Sequence, residues 1–326
     1  MNLCLLYNRV ILILYICAIT LNFAQTISFS GERMISSEKI IKNLNSNCNI
    51  NLNNLRKQEK LEAITSTFGG RWGEEELSQD TNYQHLQTIP TNSTYLTTDN
   101  LQNIYVATEK GQIIKYDKKG RQEFEYTNNR LGPVGKIAVK NPLTILVYYP
   151  DLAVLIILDR TMSVIKELNL FDLDIIAPKG IALANDNNIW VYDEVTAILK
   201  KISSEGTILF ESRNLNQLLQ KQLNPSFLQE RNNEVYLSDK ENGLFIFDAF
   251  GQLKQEISSK EIDRFQVVGE QLVLWKKEQA FLLNATILEE NPLPLPTKVE
   301  GVKMATINGN LIYLALKDKI EIYQLK

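Results

Sequence analysis

Between Asn92 and Lys326 the apolar residues of this chain fall in short runs of four to six, each closed by Gly, Asn, Asp or Pro. Those are the residues that end strands and open turns, and the runs lack the three- and four-residue spacing of a helix. Residues 177–206, APKGIALANDNNIWVYDEVTAILKKISSEG, show the pattern most clearly. GIALA and NIWVY read as two strands joined by an Asn-Asp-Asn turn, and AILKKI as a third that ends at Ser-Ser-Glu-Gly.

The unit recurs six times. Aligned on their second strands, NIYVAT, TILVYY, NIWVYD, EVYLSD, QLVLWK and NLIYLA bring Tyr105, Leu146, Trp190, Tyr236, Val273 and Ile312 to one position. The spacing is roughly 40 residues, the length of a four-stranded propeller blade. The turn after the third strand agrees. Asp117 with Gly120, Ser203 with Gly206 and Asp248 with Gly251 supply a side chain that opens the turn and a glycine for its left-handed position. Asp159 keeps the first half of that signature, but Met162 stands where glycine is expected, and residues 284–290 are the most degenerate copy. The expected fold is all-β: a six-bladed β-propeller of four-stranded blades over residues 83–326. The sixth unit ends after its third strand, KIEIYQLK. The segment YQHLQTIP at 83–90 alternates at Leu86 and Ile89 and is expected to pair beside 319–325, which closes the ring and removes open sheet edges.

PKGIALANDNNIWVYD and ILKKISSEG resemble the repeat of NHL-type and TolB-like six-bladed propellers, roughly P-x-G-I-A-x-D, N-x-W/Y-V-x-D and I-x-K-x-x-x-x-G. The resemblance covers about residues 84–326 and is best in the third unit. The Asn-His-Leu tripeptide behind the NHL name is absent. The chain resembles the secreted propellers common in Bacteroidetes-like bacteria. What the resemblance implies is a ligand- or protein-binding module or, as the alternative, a lactonase-like or other metal-dependent hydrolase using the axial cavity. Lactonase-like propellers hold calcium with oxygen ligands. Asp172, Asp174, Asp193 and Asp239 lie in loops of that kind, where aspartate more often serves the turn itself.

The chemistry on offer is sparse. The chain has one histidine, His85, in the 83–90 segment, so a Ser-His-Asp triad would have to use it, and a multi-histidine zinc site is excluded. No catalytic constellation and no cofactor are expected. With 35 Lys and Arg against 38 Asp and Glu the net charge is −3, and no basic stripe suggests nucleic acid. Tyr105, Tyr148, Tyr149, Trp190, Tyr192, Tyr236 and Trp275 sit in second strands and read as packing between blades.

The N-terminus adds a destination. Arg9 precedes the apolar stretch Val10–Leu21, which is too short to span a bilayer, and Ala24 offers a small residue for cleavage. Residues 1–24 therefore read as a signal peptide, giving an exported, periplasmic or extracellular monomer with no membrane span after cleavage. Residues 25–82 are rich in Asn, Ser, Lys and Glu and read as a flexible extension with a short helix at 54–68. Cys48 would be the sole cysteine of the mature chain, and Trp72 lies in a glycine-rich loop.

One candidate site emerges from the alignment. In a propeller the first strand of each blade lines the axial channel. Aligning TYLTT, KIAVK, GIALA, SFLQE, RFQVV and KMATI places Thr94, Lys136, Gly180, Ser226, Arg264 and Lys303 at the channel mouth, with Lys179 beside them. Lys136, Lys179, Arg264 and Lys303 are the candidate ligand-binding residues. Cations converging on a concave site favour a small anionic ligand, and the other partner expected is an envelope protein.

Overall fold

The computed structural model describes residues 83–277, 279–296 and 301–326. The signal peptide with its cleavage at Ala24, the 25–82 extension, its helix, Cys48 and Trp72 lie outside the described residues. What is described forms six antiparallel sheets of four strands each. The six first strands touch in sequence around a closed ring, from Tyr95–Thr98 through Lys136–Val139, Pro178–Leu183, Pro225–Arg231 and Arg264–Val268 to Met304–Asn308 and back. This is a six-bladed β-propeller.

Ring closure follows the sequence expectation. The outer strand of the sixth blade is Tyr83–Pro90, antiparallel to Lys319–Leu325, with Tyr83 opposite Leu325 and Pro90 opposite Lys319. A bulge between His85 and Gln87 lets Ile89 turn into the core, where it is 3% exposed. N- and C-terminal strands thus share one sheet, and no blade is left with an unpaired third strand.

In most blades the second and third strands are buried on both faces because each blade is covered by its neighbours. Ile145–Tyr149 and Val154–Leu158 are buried at every position. Such strands read as continuous apolar runs without alternation. The aromatics of the second strands are core, as expected: Tyr105, Tyr149, Trp190 and Tyr192 are among the largest fully buried side chains. Trp190 meets Phe210 edge to face with ring centres 6.0 Å apart.

The turn signature is present where the sequence showed it and where it did not. Asp117, Asp159 and Asp248 each accept from the amides two and four residues on, at 2.8–2.9 Å. Ser203 does the same with its hydroxyl. Met162 takes the glycine position with φ 64°, while its side chain is buried in the core shared by the first two blades. The apolar contact compensates a conformation that costs a non-glycine residue about 1 kcal/mol.

Two alignments need correction. The strand pairing places Tyr313, not Ile312, at the position of Trp190, because Ile307 pairs with Ile312 and Thr306 with Tyr313. By the same register the first-strand positions equivalent to Lys136, Gly180 and Arg264 are Tyr95, Phe227 and Met304, not Thr94, Ser226 and Lys303. A one-residue slip is invisible in a run that is apolar on both faces, and a bulge between Pro225 and Phe227 adds another.

Candidate ligand site in the axial cavity

The six first strands enclose an axial cavity of about 320 Å³. Each strand runs from a mouth, where the chain arrives from the previous blade, to a floor, where it turns into its second strand. The edges of these strands carry unpaired backbone groups, and polar side chains of the neighbouring strand cover them. Gln266 receives the Ile307 amide at 2.8 Å and donates to the Ile307 carbonyl at 2.5 Å. Gln229 accepts from the Val267 amide at 3.2 Å, and Asn308 donates to the Asp99 carbonyl at 2.6 Å.

At the mouth the arrangement changes. Lys136 of the second blade reaches across the third to donate to the Leu228 carbonyl of the fourth, with its Nζ 3.8 Å from the centre of the Phe227 ring. Arg264 of the fifth blade lies with its guanidinium carbon 5.2 Å from that same ring and 4.5 Å from the centre of the Tyr95 ring. Two basic side chains thus lie against one aromatic ring. Neither has a carboxylate partner among the described residues. Burial holds the Lys136 amine well below the usual lysine range, and the Arg264 charge pushes it further the same way. Burial raises the Tyr95 hydroxyl, with Arg264 acting against it.

Gly180 makes this reach across the third blade feasible. A Cβ there would meet the Leu228 Cβ at 2.9 Å, so glycine lets the first strands of blades three and four approach closely. Trp275, paired opposite Arg264, is half-buried and completes an aromatic collar with Tyr95 and Phe227.

The other candidate residues lie elsewhere. Lys179 is exposed beside the buried Gly180 and pairs with Glu194 at 3.4 Å, and Lys303 is exposed one residue before Met304. Neither lines the cavity. Thr94 is exposed, and Ser226 bonds the Ile262 carbonyl at 3.0 Å. Phe227, Tyr95 and Trp275 were missed as site residues. Their positions could have been found only from the register, since aromatics in strands otherwise signal packing.

The aspartates weighed as metal ligands are dispersed. Asp193 accepts from the Ala177 amide and Thr196 hydroxyl, Asp239 from the amides of Asn224, Glu241 and Asn242, and Asp172 and Asp174 are exposed near a short 3-10 turn. None of the four lines the cavity. His85 is exposed on the outermost strand against Tyr323, ring centres 5.1 Å apart.

No protein-family model matches the sequence, and no curated protein sequence matches it either. Solved structures do. The chain is similar to the WD40 domain of Neurospora crassa Pan2, with TM-score 0.58 and 10% identity over 77% of this chain and 98% of that one. It is also similar to a streptogramin B lyase, with TM-score 0.52 and 14% identity over 77% of this chain and all of the other. With the Staphylococcus aureus virginiamycin B lyase it shares TM-score 0.50 and 17% identity over 71% and 80%. At these identities the likeness carries the propeller fold alone.

Proposed function

We propose that this protein is an exported binding module that takes a small anionic ligand at the mouth of its axial cavity. The observation that carries the reading is the pair Lys136 and Arg264, two basic side chains beside one aromatic ring with no carboxylate partner among the described residues. Uncompensated like charges in a concave, poorly hydrated site are costly to the free protein, and an anion placed between them removes that cost. The aromatic collar supplies an apolar wall, which suits a carboxylate or acidic sugar better than a strongly hydrated inorganic ion.

A hydrolase reading has less behind it. Asp193 and Asp239 are occupied by backbone amides and Asp172 and Asp174 are exposed, all away from the cavity, and the carboxylates that do line it, Asp99 and Glu230, have partners of their own. A streptogramin-lyase reading finds no matching group. One variant of the virginiamycin B lyase is catalytically inactive through loss of a histidine, whereas the single histidine here is on the rim.

Thermal unfolding in the presence of small carboxylates and uronic acids tests the binding reading. A ligand at 100 times its dissociation constant stabilises the native state by about 2.7 kcal/mol. The native protein is expected to show that shift with at least one such anion, and a Lys136→Gln, Arg264→Gln double variant to lose it. Equal response in both proteins, or none in the native one, would refute the proposal. Export rests on Arg9, Val10–Leu21 and Ala24, and N-terminal sequencing of the mature chain should find a start near Gln25 in a fraction outside the cytoplasm.

A further inference from the structure

The mouth places an amine, a guanidinium and a phenol around one ring, and the amine has the surroundings of a nucleophile. A lysine reacts with carbonyl compounds only as the free base, and enzymes obtain that base at neutral pH by burying the amine in an apolar pocket or beside a second cation. Lys136 has both. Its Nζ lies against the face of Phe227, its one hydrogen-bond partner among the described residues is the Leu228 carbonyl, and the charge acting on it is that of Arg264. The carbonyl accepts a hydrogen bond from the amine and leaves the nitrogen lone pair free. Other lysines with shielded side chains are placed differently: Lys140 is paired with Glu230, Lys276 with Glu290 and Lys200 with Glu211.

We infer that Lys136 captures small anionic carbonyl compounds, 2-oxo acids in chemical class, as a reversible imine, with Arg264 holding the carboxylate. The inference rests on the anion-binding reading and adds a covalent step to it. In that step the neutral amine attacks the carbonyl carbon, forming the C–N bond as the C–O π electrons move to oxygen. The carbinolamine then loses its hydroxyl as water, with the amine giving up two hydrogens in all, so amine and carbonyl become imine and water with no change of oxidation state. Lys136 and Arg264 stand 3.8 and 5.2 Å from the centre of the same Phe227 ring, which puts both within reach of one small bifunctional molecule. Two forces oppose each other on the amine. The ring face favours its protonated form, while burial and the Arg264 charge favour the free base. A carboxylate on Arg264 cancels that charge, and the imine nitrogen is then held protonated beside the bound anion.

The test uses the full mature protein with pyruvate as probe and cyanoborohydride to reduce any imine, followed by peptide mapping in a mass spectrometer. Lactate serves as the anion without a ketone. The expected result is labelling of Lys136 at least tenfold faster than of any exposed lysine at pH 7, slowed severalfold in Arg264→Gln and absent at that position in Lys136→Arg, which keeps the charge. Labelling spread over exposed lysines with no preference for Lys136 overturns the inference. If lactate and pyruvate then stabilise the fold equally, the anion site survives without the imine. If neither stabilises it and Lys136 is unlabelled, both readings fail.

Discussion

The two ends of the axial cavity are built by the same six strands and treat charge in opposite ways. At the floor Lys140 pairs with Glu230, whose other oxygen accepts the Asn233 amide, and Asp99 is saturated by the amides of Leu101 and Asn103, the Asn103 amide side chain and the Tyr105 hydroxyl. At the mouth, three to four residues earlier on the same strands, Lys136 and Arg264 have aromatic rings where carboxylates would stand. A floor of satisfied pairs is what a fold needs to seal the inner edges of its blades. At the mouth Lys136 covers the Leu228 carbonyl, but neither it nor Arg264 has a carboxylate partner among the described residues, and that difference is the reason to read the mouth as a site.

Removing charge should therefore hurt at one end and not the other. Glu230→Ala leaves Lys140 without its carboxylate partner and is expected to cost about 3 kcal/mol, a fall of roughly 6–12 °C in thermal midpoint for a domain of this size. Lys136→Met removes an unpaired charge and should leave the midpoint unchanged or raise it. Comparable losses from both substitutions would erase the distinction between the two ends.

The glycines of the two ends sharpen it. Gly180→Ala at the mouth forces the Leu228 backbone region to move and is expected to cost about 1–3 kcal/mol, and to weaken anion-induced stabilisation because Phe227 moves with it. Gly269 at the floor has φ 63° and open space around it, so Gly269→Ala should cost about 1 kcal/mol from backbone conformation alone and leave ligand response intact. Urea unfolding of both variants, with and without the stabilising anion, separates a spatial from a conformational cost.

The smallest effect is on pH dependence. Burial and Arg264 put the Lys136 amine lower in the folded chain than in the unfolded one, where it stays near its usual value of about 10.4. Between those two values the unfolded chain holds the extra proton, so stability should rise with pH through that window and level off above it. Lys136→Met should flatten that rise in denaturant unfolding between neutral pH and about pH 10. An identical slope in the variant would show that the amine is not depressed.

Architecture was legible in the sequence because blade length, turn residues and the missing outer strand are local signals. The 83–90 strand could be assigned to the sixth blade because that unit lacks an outer strand and 83–90 carries Leu86 and Ile89 among polar neighbours, although only Ile89 is buried. Register was not legible. Strands such as ILVYY are covered on both faces, so nothing in their pattern marks which residue faces which neighbour, and Thr94, Ser226 and Lys303 were each placed one residue from the true ring. Lys136 and Arg264 were placed correctly because each opens its strand without a bulge. Their shared ring, Phe227, depended on the slipped register and on Gly180 letting two blades close together, neither of which a single sequence displays.

Bromide soaked into crystals of the protein tests the central claim most directly, since its anomalous signal marks anions without assuming a ligand. The account predicts a peak between Lys136 and Arg264 and none at the floor beside Lys140 and Glu230. Peaks at both ends, or an empty mouth at bromide concentrations that populate other surface cations, would contradict it.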